Sequence, residues 1–248
     1  MTRSAIANNS SDYNRGRRSA TSPAFSRRGM ADQVLISPDL SYLQQAGSTT
    51  PLQLGVMASG SGTNFEAVAQ AIALGQLNAE IKVLIYNNPQ AKAAERAKKY
   101  NIPAVLIDHR QYQQRESLDR QIVEVLQSYQ VDWVIMAGWM RIVTQVLLDG
   151  YPERVINIHP SLLPSFKGIR AIEQALVAKV KITGCTVHLV NLEVDSGAII
   201  MQAAVPVFEN DNLDTLHQRI QKQEHNILPQ AIAIAAMNHK HKQLTLGN

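Results

Sequence analysis

The chain of 248 residues contains one cysteine, Cys185, so no internal disulfide can staple it, and a reducing compartment is its natural home. That thiol lies in the alternating apolar run Thr183 to Val190 with no base beside it, which reads as a buried structural group rather than a nucleophile. Long hydrophobic runs are missing as well. Even Val131 to Ala137 falls far short of the roughly 18 apolar residues that a membrane-spanning helix needs, so a soluble, cytoplasmic protein with no membrane partner is expected. Basic residues are not concentrated on folded sequence either. Six Arg against three Asp fall within residues 1–50, so most of the formal charge of +4 sits there and the remainder is nearly neutral. A nucleic-acid partner is therefore not expected. No cluster of Cys, His and carboxylates has metal-ligand spacing, and no metal is expected.

What the chain does have is organised in two parts. Residues 1–50 are rich in Ser, Asn and Arg and hold no apolar period longer than Val34 to Ile36, the composition of a disordered polar extension. A transit peptide or a start site at Met30 would fit this composition too, and a plain cytoplasmic extension is the reading adopted. The whole chain is 45% hydrophobic, enough apolar material for a large domain, and residues 51–248 are read as one domain.

Within that domain, short apolar runs alternate with helical periods, the pattern of βα units feeding a parallel sheet. Strands are predicted at Leu52 to Ala58, Ile81 to Tyr86, Ala104 to Ile107, Val131 to Ala137 and Val155 to Ile158. Helices are predicted through Phe65, Val68 and Ile72 with a cap near Gly75, from Pro89, and through Leu118, Ile122, Val125 and Leu126. The runs Cys185 to Val190 and Ala198 to Val207 are joined by too few residues for a crossover helix, so they should pair antiparallel. A closing helix from near Asp211 carries Leu213, Leu216, Ile220 and Ile227 on one stripe. The expected fold is α/β, a Rossmann-like three-layer sandwich with a mostly parallel sheet and an antiparallel C-terminal strand pair.

Two features carry chemistry. The loop Ser59-Gly60-Ser61-Gly62-Thr63-Asn64 joins a strand to a helix start, where backbone N–H groups and the helix dipole favour a phosphate. Phe65 stands where a dinucleotide fingerprint needs its third glycine, and the Walker Gly-Lys-Ser/Thr is absent. Tight packing of a βα turn explains the same glycines, and Thr63 as a helix cap explains the threonine. The second feature is Asn157-Ile158-His159-Pro160, in which Asn157 and His159 are two apart on a strand and project from one face. An imidazole at a strand's carboxyl end can move protons at neutral pH, and the neighbouring amide can donate to a developing oxyanion. Satisfying backbone groups where the strand ends is the plainer account of the same pair.

The longer motif Asn157-Ile158-His159-Pro160-Ser161-Leu162-Leu163-Pro164 is accompanied by Asp195-Ser196-Gly197 and by Ile200 to Val207. Together with Ala58 to Asn64, Met136 to Ile142 and Gln221 to His225, it closely resembles the phosphoribosylglycinamide formyltransferases from about Leu52 to Asn238. The resemblance implies transfer of a formyl group from 10-formyltetrahydrofolate to the amine of glycinamide ribonucleotide in purine synthesis. It implies catalytic roles for Asn157, His159 and Asp195. It implies ribonucleotide contacts at Gly62, Thr63, Asn64, Gln221, Lys222, Gln223 and Glu224. Folate contacts are implied at Arg115, Met140, Arg141, Ile142, Val143 and Asn157, and at Asn191, Leu192, Glu193, Val194 and Asp195. A monomer or homodimer is expected.

Each assignment has an ordinary counterpart. Glu224 shares a helical face with Leu216, Ile220 and Ile227, so its carboxylate points inward and needs a partner, either a substrate group or an arginine of the protein. Asp195-Ser196-Gly197 is also a common turn sequence. His188 reads as a core histidine, and Phe166 to Arg170 as a loop that varies in the resembled family. Two related activities fit less well. A deformylase resembles this chain in its catalytic trio but carries a regulatory N-terminal domain that residues 1–50 cannot form. A methionyl-tRNA formyltransferase carries a further RNA-binding domain, and this near-neutral body offers tRNA no electrostatic footprint. A non-catalytic sensor that keeps the fold is the third alternative, and the intact trio counts against it.

Overall fold

In the computed structural model the described residues are Met1, residues 35–38 and residues 50–246. The chain divides into two units, Met1–Gln33 and Val34–Asn248, and all the elements below belong to the second. The expectation for residues 1–50 therefore lies mostly outside the described residues. One part of it is corrected, because Leu35–Ser37 forms an edge strand, β1. Three residues suffice there because Ile36 packs on the core while the backbone pairs with a ready-made sheet edge.

The remaining strands are β2 (Leu52–Ala58), β3 (Ala79–Tyr86), β4 (Ala104–Leu106), β5 (Trp133–Met136), β6 (Val155–His159), β7 (Ile182–Leu189) and β8 (Ile199–Pro206). They form one sheet in the order β1-β8-β7-β6-β5-β2-β3-β4. From β6 to β4 the pairing is parallel, and β6 with β7, β7 with β8 and β8 with β1 are antiparallel. The central strand β5 is buried at all four residues, as a parallel strand covered on both faces must be.

Helices α1 (Thr63–Ala73), α2 (Ala93–Lys99), α3 (Arg115–Ser128), α4 (Gln145–Gly150), α5 (Ala171–Val177) and α6 (Leu213–Leu246) make the outer layers. One core unites Phe65 and Val68 of α1 with Leu216, Ile220 and Ile227 of α6 against Leu54, Val56, Cys185 and Met201. The other packs Leu118, Ile122 and Leu126 of α3 and Leu147 of α4 on Met57, Val83, Val134 and Met136. Alternate residues of each strand thus serve opposite faces, which gives the three-layer architecture.

Two local expectations are corrected. Pro89 does not open a helix: the Asn88 side chain accepts the Gln90 N–H at 3.1 Å, forming a turn that delays α2 to Ala93. Leu213 leaves the apolar stripe of α6 and is exposed, because it precedes the part of the helix that lies on the sheet. No described helix is long and apolar enough to cross a membrane.

Candidate active site

The strand order reverses between β2 and β5. From β2 the chain moves outward to β3 and β4, then returns to the other side of β2 as β5. The loops after β2 and β5 must diverge there, opening a crevice at the carboxyl ends of the strands. A cleft of about 480 Å³ occupies this place, lined by Ser59 to Asn64, Met136 to Val143, Asn157 to Pro160 and Asn191 to Asp195, with His188, His217, Gln221 and Glu224. The two diverging loops are tied together by Ser59 N–H to Gly138 C=O at 3.0 Å and Met140 N–H to Ser59 Oγ at 2.9 Å.

At one end, Gly62 takes φ +72° before α1, and no side chain caps that helix. The first intrahelical bond is Glu66 N–H to Gly62 C=O, so the first-turn N–H groups have no intrahelical acceptor. A Cβ at position 62 would lie 2.7 Å from both Cα and Cβ of Ala93, so this glycine meets a packing demand as well as a conformational one. Arg96 of α2 holds the loop from behind, donating through Nε to the Ser61 carbonyl at 2.8 Å. Thr63 accepts from Gln221 Nε2 at 3.2 Å rather than capping the helix.

Glu224 reaches the same end from α6 and is buried, accepting from Asn64 Nδ2 at 3.0 Å. Burial pushes its carboxyl above the ordinary glutamate range, while the Asn64 bond and the charge of His217 pull the other way. The partner sought for Glu224 is therefore an asparagine, not an arginine. The other amide atom of that asparagine, Oδ1, is buried with no hydrogen-bond partner.

At the other end, β6 presents Asn157 and His159 on one face, and the register of β7 places His188 opposite Asn157. His159 Nδ1 lies 3.2 Å from Asp195 Oδ2, and its Nε2 lies 2.8 Å from the Phe166 carbonyl. His188 Nδ1 meets the Leu189 carbonyl at 2.8 Å, which makes Nδ1 the donor and leaves Nε2 to accept from Asn157 Nδ2 at 3.2 Å when the ring is neutral. The same Nε2 is 3.5 Å from Asp195 Oδ1. Burial works against the Asp195 carboxylate, but the Gly168 N–H, the bond that His188 Nε2 donates when that ring is protonated, and the charges of the protonated His159 and His188 rings outweigh it. Its carboxyl consequently sits below the ordinary aspartate range. Asn157, His159 and Asp195 are thus one connected cluster, and Asp195 is more than a turn residue.

Between the ends, Met140, Ile142, Leu192 and Val194 leave much of their side-chain surface open on the cleft walls, an apolar stretch between two polar ends. The wall is braced where Asp119 of α3 accepts both the N–H and the hydroxyl of Thr144, at 2.5 and 2.8 Å. Three expected contacts stand outside the cleft lining: Arg115 is exposed at the start of α3, Lys222 is exposed on α6, and Gln223 is buried away from the cleft. His188, His217 and Trp139 line the cleft and were not among the expected site residues. Only the pairing of β6 with β7 could have revealed His188. Cys185 is fully buried, and burial raises its thiol well above the ordinary range. Among the described residues no group of three or more His, Cys, Asp and Glu is placed to hold a metal ion.

Residues 52–232 match the formyl transferase family model. The chain is 41% identical over 180 residues to a phosphoribosylglycinamide formyltransferase of Bacillus subtilis, covering 73% of this chain and 92% of that protein. It is 39% identical over 196 residues to the trifunctional purine biosynthetic protein adenosine-3 of Gallus gallus, covering 79% of this chain but spanning only 20% of that longer protein. The crystal structure of glycinamide ribonucleotide transformylase 1 from Symbiobacterium toebii superposes with a TM-score of 0.74 at 43% identity, covering 75% of this chain and 88% of that one.

Proposed function

The chain belongs to the formyl transferase family, and from that membership we propose that it moves the formyl group of 10-formyltetrahydrofolate onto the amine of glycinamide ribonucleotide. The products are formylglycinamide ribonucleotide and tetrahydrofolate, a step of purine synthesis. What supports this reading is one cleft that joins an anion-binding loop, a buried carboxylate and an Asn-His-Asp cluster.

The loop of Gly62, Thr63 and Asn64 takes the ribonucleotide phosphate, with Gln221 beside it. Glu224 receives the polar groups of the ribose and the amine, replacing part of the hydration that burial removes. The folate ring lies against Met140, Ile142, Leu192 and Val194, with its formyl group toward Asn157. Arg141 extends these contacts along the cleft wall.

The neutral amine attacks the formyl carbon, a new C–N bond forms, and the carbonyl oxygen takes up negative charge. One N–H of the Asn157 amide goes to His188, leaving the second for that oxygen. That one well-placed oxyanion contact is worth about 10²–10³ in rate, and the charge of the His159 ring on the same face stabilises the oxygen further. In its imidazolium form the ring donates to both Phe166 and Asp195, so its plane is fixed before substrate arrives. Asp195 holds the charge of that ring, and the pair carries the proton from the attacking amine toward the folate nitrogen as the old C–N bond breaks. His188 is a positioning residue that orients Asn157.

The assembly belonging to this reading is a monomer or a homodimer. The free, buried Cys185 suits a cytoplasmic enzyme. The test is tetrahydrofolate release from 10-formyltetrahydrofolate with and without glycinamide ribonucleotide, with the product identified by mass. Release that depends on the ribonucleotide and adds one formyl mass to it is expected. Release without it would replace the transferase with a hydrolase.

A further inference from the structure

Resting on the formyl-transfer reading of the cleft, we propose that Lys167 is a positioning residue that ties two catalytic-face loops together and so sets the His159–Asp195 geometry. The loop after Pro164 controls both partners through its backbone. Its Phe166 carbonyl meets His159 Nε2 at 2.8 Å, and its Gly168 N–H donates to Asp195 Oδ2 at 2.8 Å. A small movement of this loop therefore changes the surroundings of His159 and Asp195 together.

The backbone does not favour that arrangement by itself. Phe166, Gly168 and Arg170 have φ of +56°, +78° and +58°, and the first and third carry a Cβ in the left-handed region. Contacts must hold the loop. On its own side, Gln174 Nε2 donates to the Lys167 and Ile169 carbonyls at 3.3 and 2.9 Å. Across the cleft edge, Lys167 Nζ donates to Ser196 Oγ at 2.5 Å and lies 3.4 Å from Glu193 Oε1. The Ser196 hydroxyl itself donates a hydrogen bond to the Val194 carbonyl at 3.0 Å, so the lysine grips a hydroxyl already fixed to the loop that bears Asp195.

This bridge contributes little to stability, because Glu193 is largely exposed and an exposed ion pair is screened. Its effect is on position. Asp195 lies between Glu193 and Ser196 in sequence, so the two Lys167 contacts straddle the carboxylate that the Gly168 N–H must meet.

The experiment compares the full chain with Lys167→Met and Lys167→Arg, reading steady-state kinetics and amide hydrogen exchange across residues 165–170. The methionine variant is expected to lose about tenfold in kcat, as small misplacements of reacting groups do. Its KM for the ribonucleotide should stay within about twofold, since the phosphate end is untouched. Exchange at the Gly168 amide should quicken, and the arginine variant should restore both kcat and protection. Wild-type kinetics and protection in Lys167→Met would overturn the proposal, as would a kcat loss with unchanged exchange or a failure of arginine to restore. If the wild type makes no formylated ribonucleotide, the functional reading fails, while the exchange comparison still decides whether Lys167 holds the loop.

Discussion

Replacing Glu224 by glutamine should stabilise the folded protein while weakening its hold on the ribonucleotide. The carboxylate is buried at 7% exposure, and its described hydrogen bond is the one from Asn64 Nδ2 at 3.0 Å. Asn64 Oδ1 beside it has no partner, and an unsatisfied buried acceptor costs about 1–3 kcal/mol. A glutamine keeps an oxygen for Asn64 Nδ2 and supplies an N–H for Oδ1, and it cannot ionise. The expected gain is roughly 1–2 kcal/mol at neutral pH, which for a domain of this size raises Tm by about 2–8 °C. The pH dependence has a definite sign. Burial raises the Glu224 carboxyl in the folded state, so its proton is held more tightly there than in the unfolded chain, whose ordinary value is 4.5. The wild type has its full stability from this group below 4.5 and loses it as pH rises through the folded value. The variant's advantage should therefore be small near pH 4.5 and grow toward pH 8, as read by calorimetry across that range. A variant no more stable than wild type at pH 8, or an advantage that shrinks with rising pH, would refute the reasoning. In the same protein the KM for glycinamide ribonucleotide should rise about 10–100-fold, the worth of a hydrogen bond to a charged group.

Removing the ring in His159→Ala should lower kcat by about 10²–10⁴ while calorimetric binding of the ribonucleotide persists, because the phosphate end of the cleft is untouched. Gly62→Ala forces a Cβ against Ala93 at 2.7 Å with φ +72°. It should lower stability by at least about 1–2 kcal/mol in denaturant titration and raise the ribonucleotide KM more than the folate KM. The Asp195 carboxyl is held low, so its contribution to stability is present above the ordinary value of 3.8 and lost as pH falls through the folded one. Acid unfolding of Asp195→Asn, followed by circular dichroism, should accordingly depend less steeply on pH below about 4 than that of wild type.

How much of this was legible beforehand depended on whether a feature is local. Leu52–Ala58 and the antiparallel pair of β7 and β8 could be read because composition and connection length alone constrain them. Short helices such as α4 and α5 span under two turns and show no period, and Asn88 diverted the chain at a proline that otherwise suits a helix start. The trio of Asn157, His159 and Asp195 was legible through its motifs, yet spacing could not show that Asp195 meets His159, since 36 positions separate them and a strand pairing closes the gap.

The same argument explains His188. Taken alone it is a buried histidine on an alternating strand, and burial is what the structure shows. Its second property comes from register: Asn157 pairs with His188 and His159 with Thr186, so the face of β6 that lines the cleft continues onto β7. A one-residue slip would turn that face toward Cys185 and Val187, which belong to the hydrophobic core beneath α6. The apolar residues of β7 therefore fix the register, and the register in turn delivers a histidine to the Asn157 amide. Core packing and site geometry are here set by one alternation of side chains, so a substitution that shifts the β6 and β7 pairing should impair turnover even where it leaves every cleft residue in place.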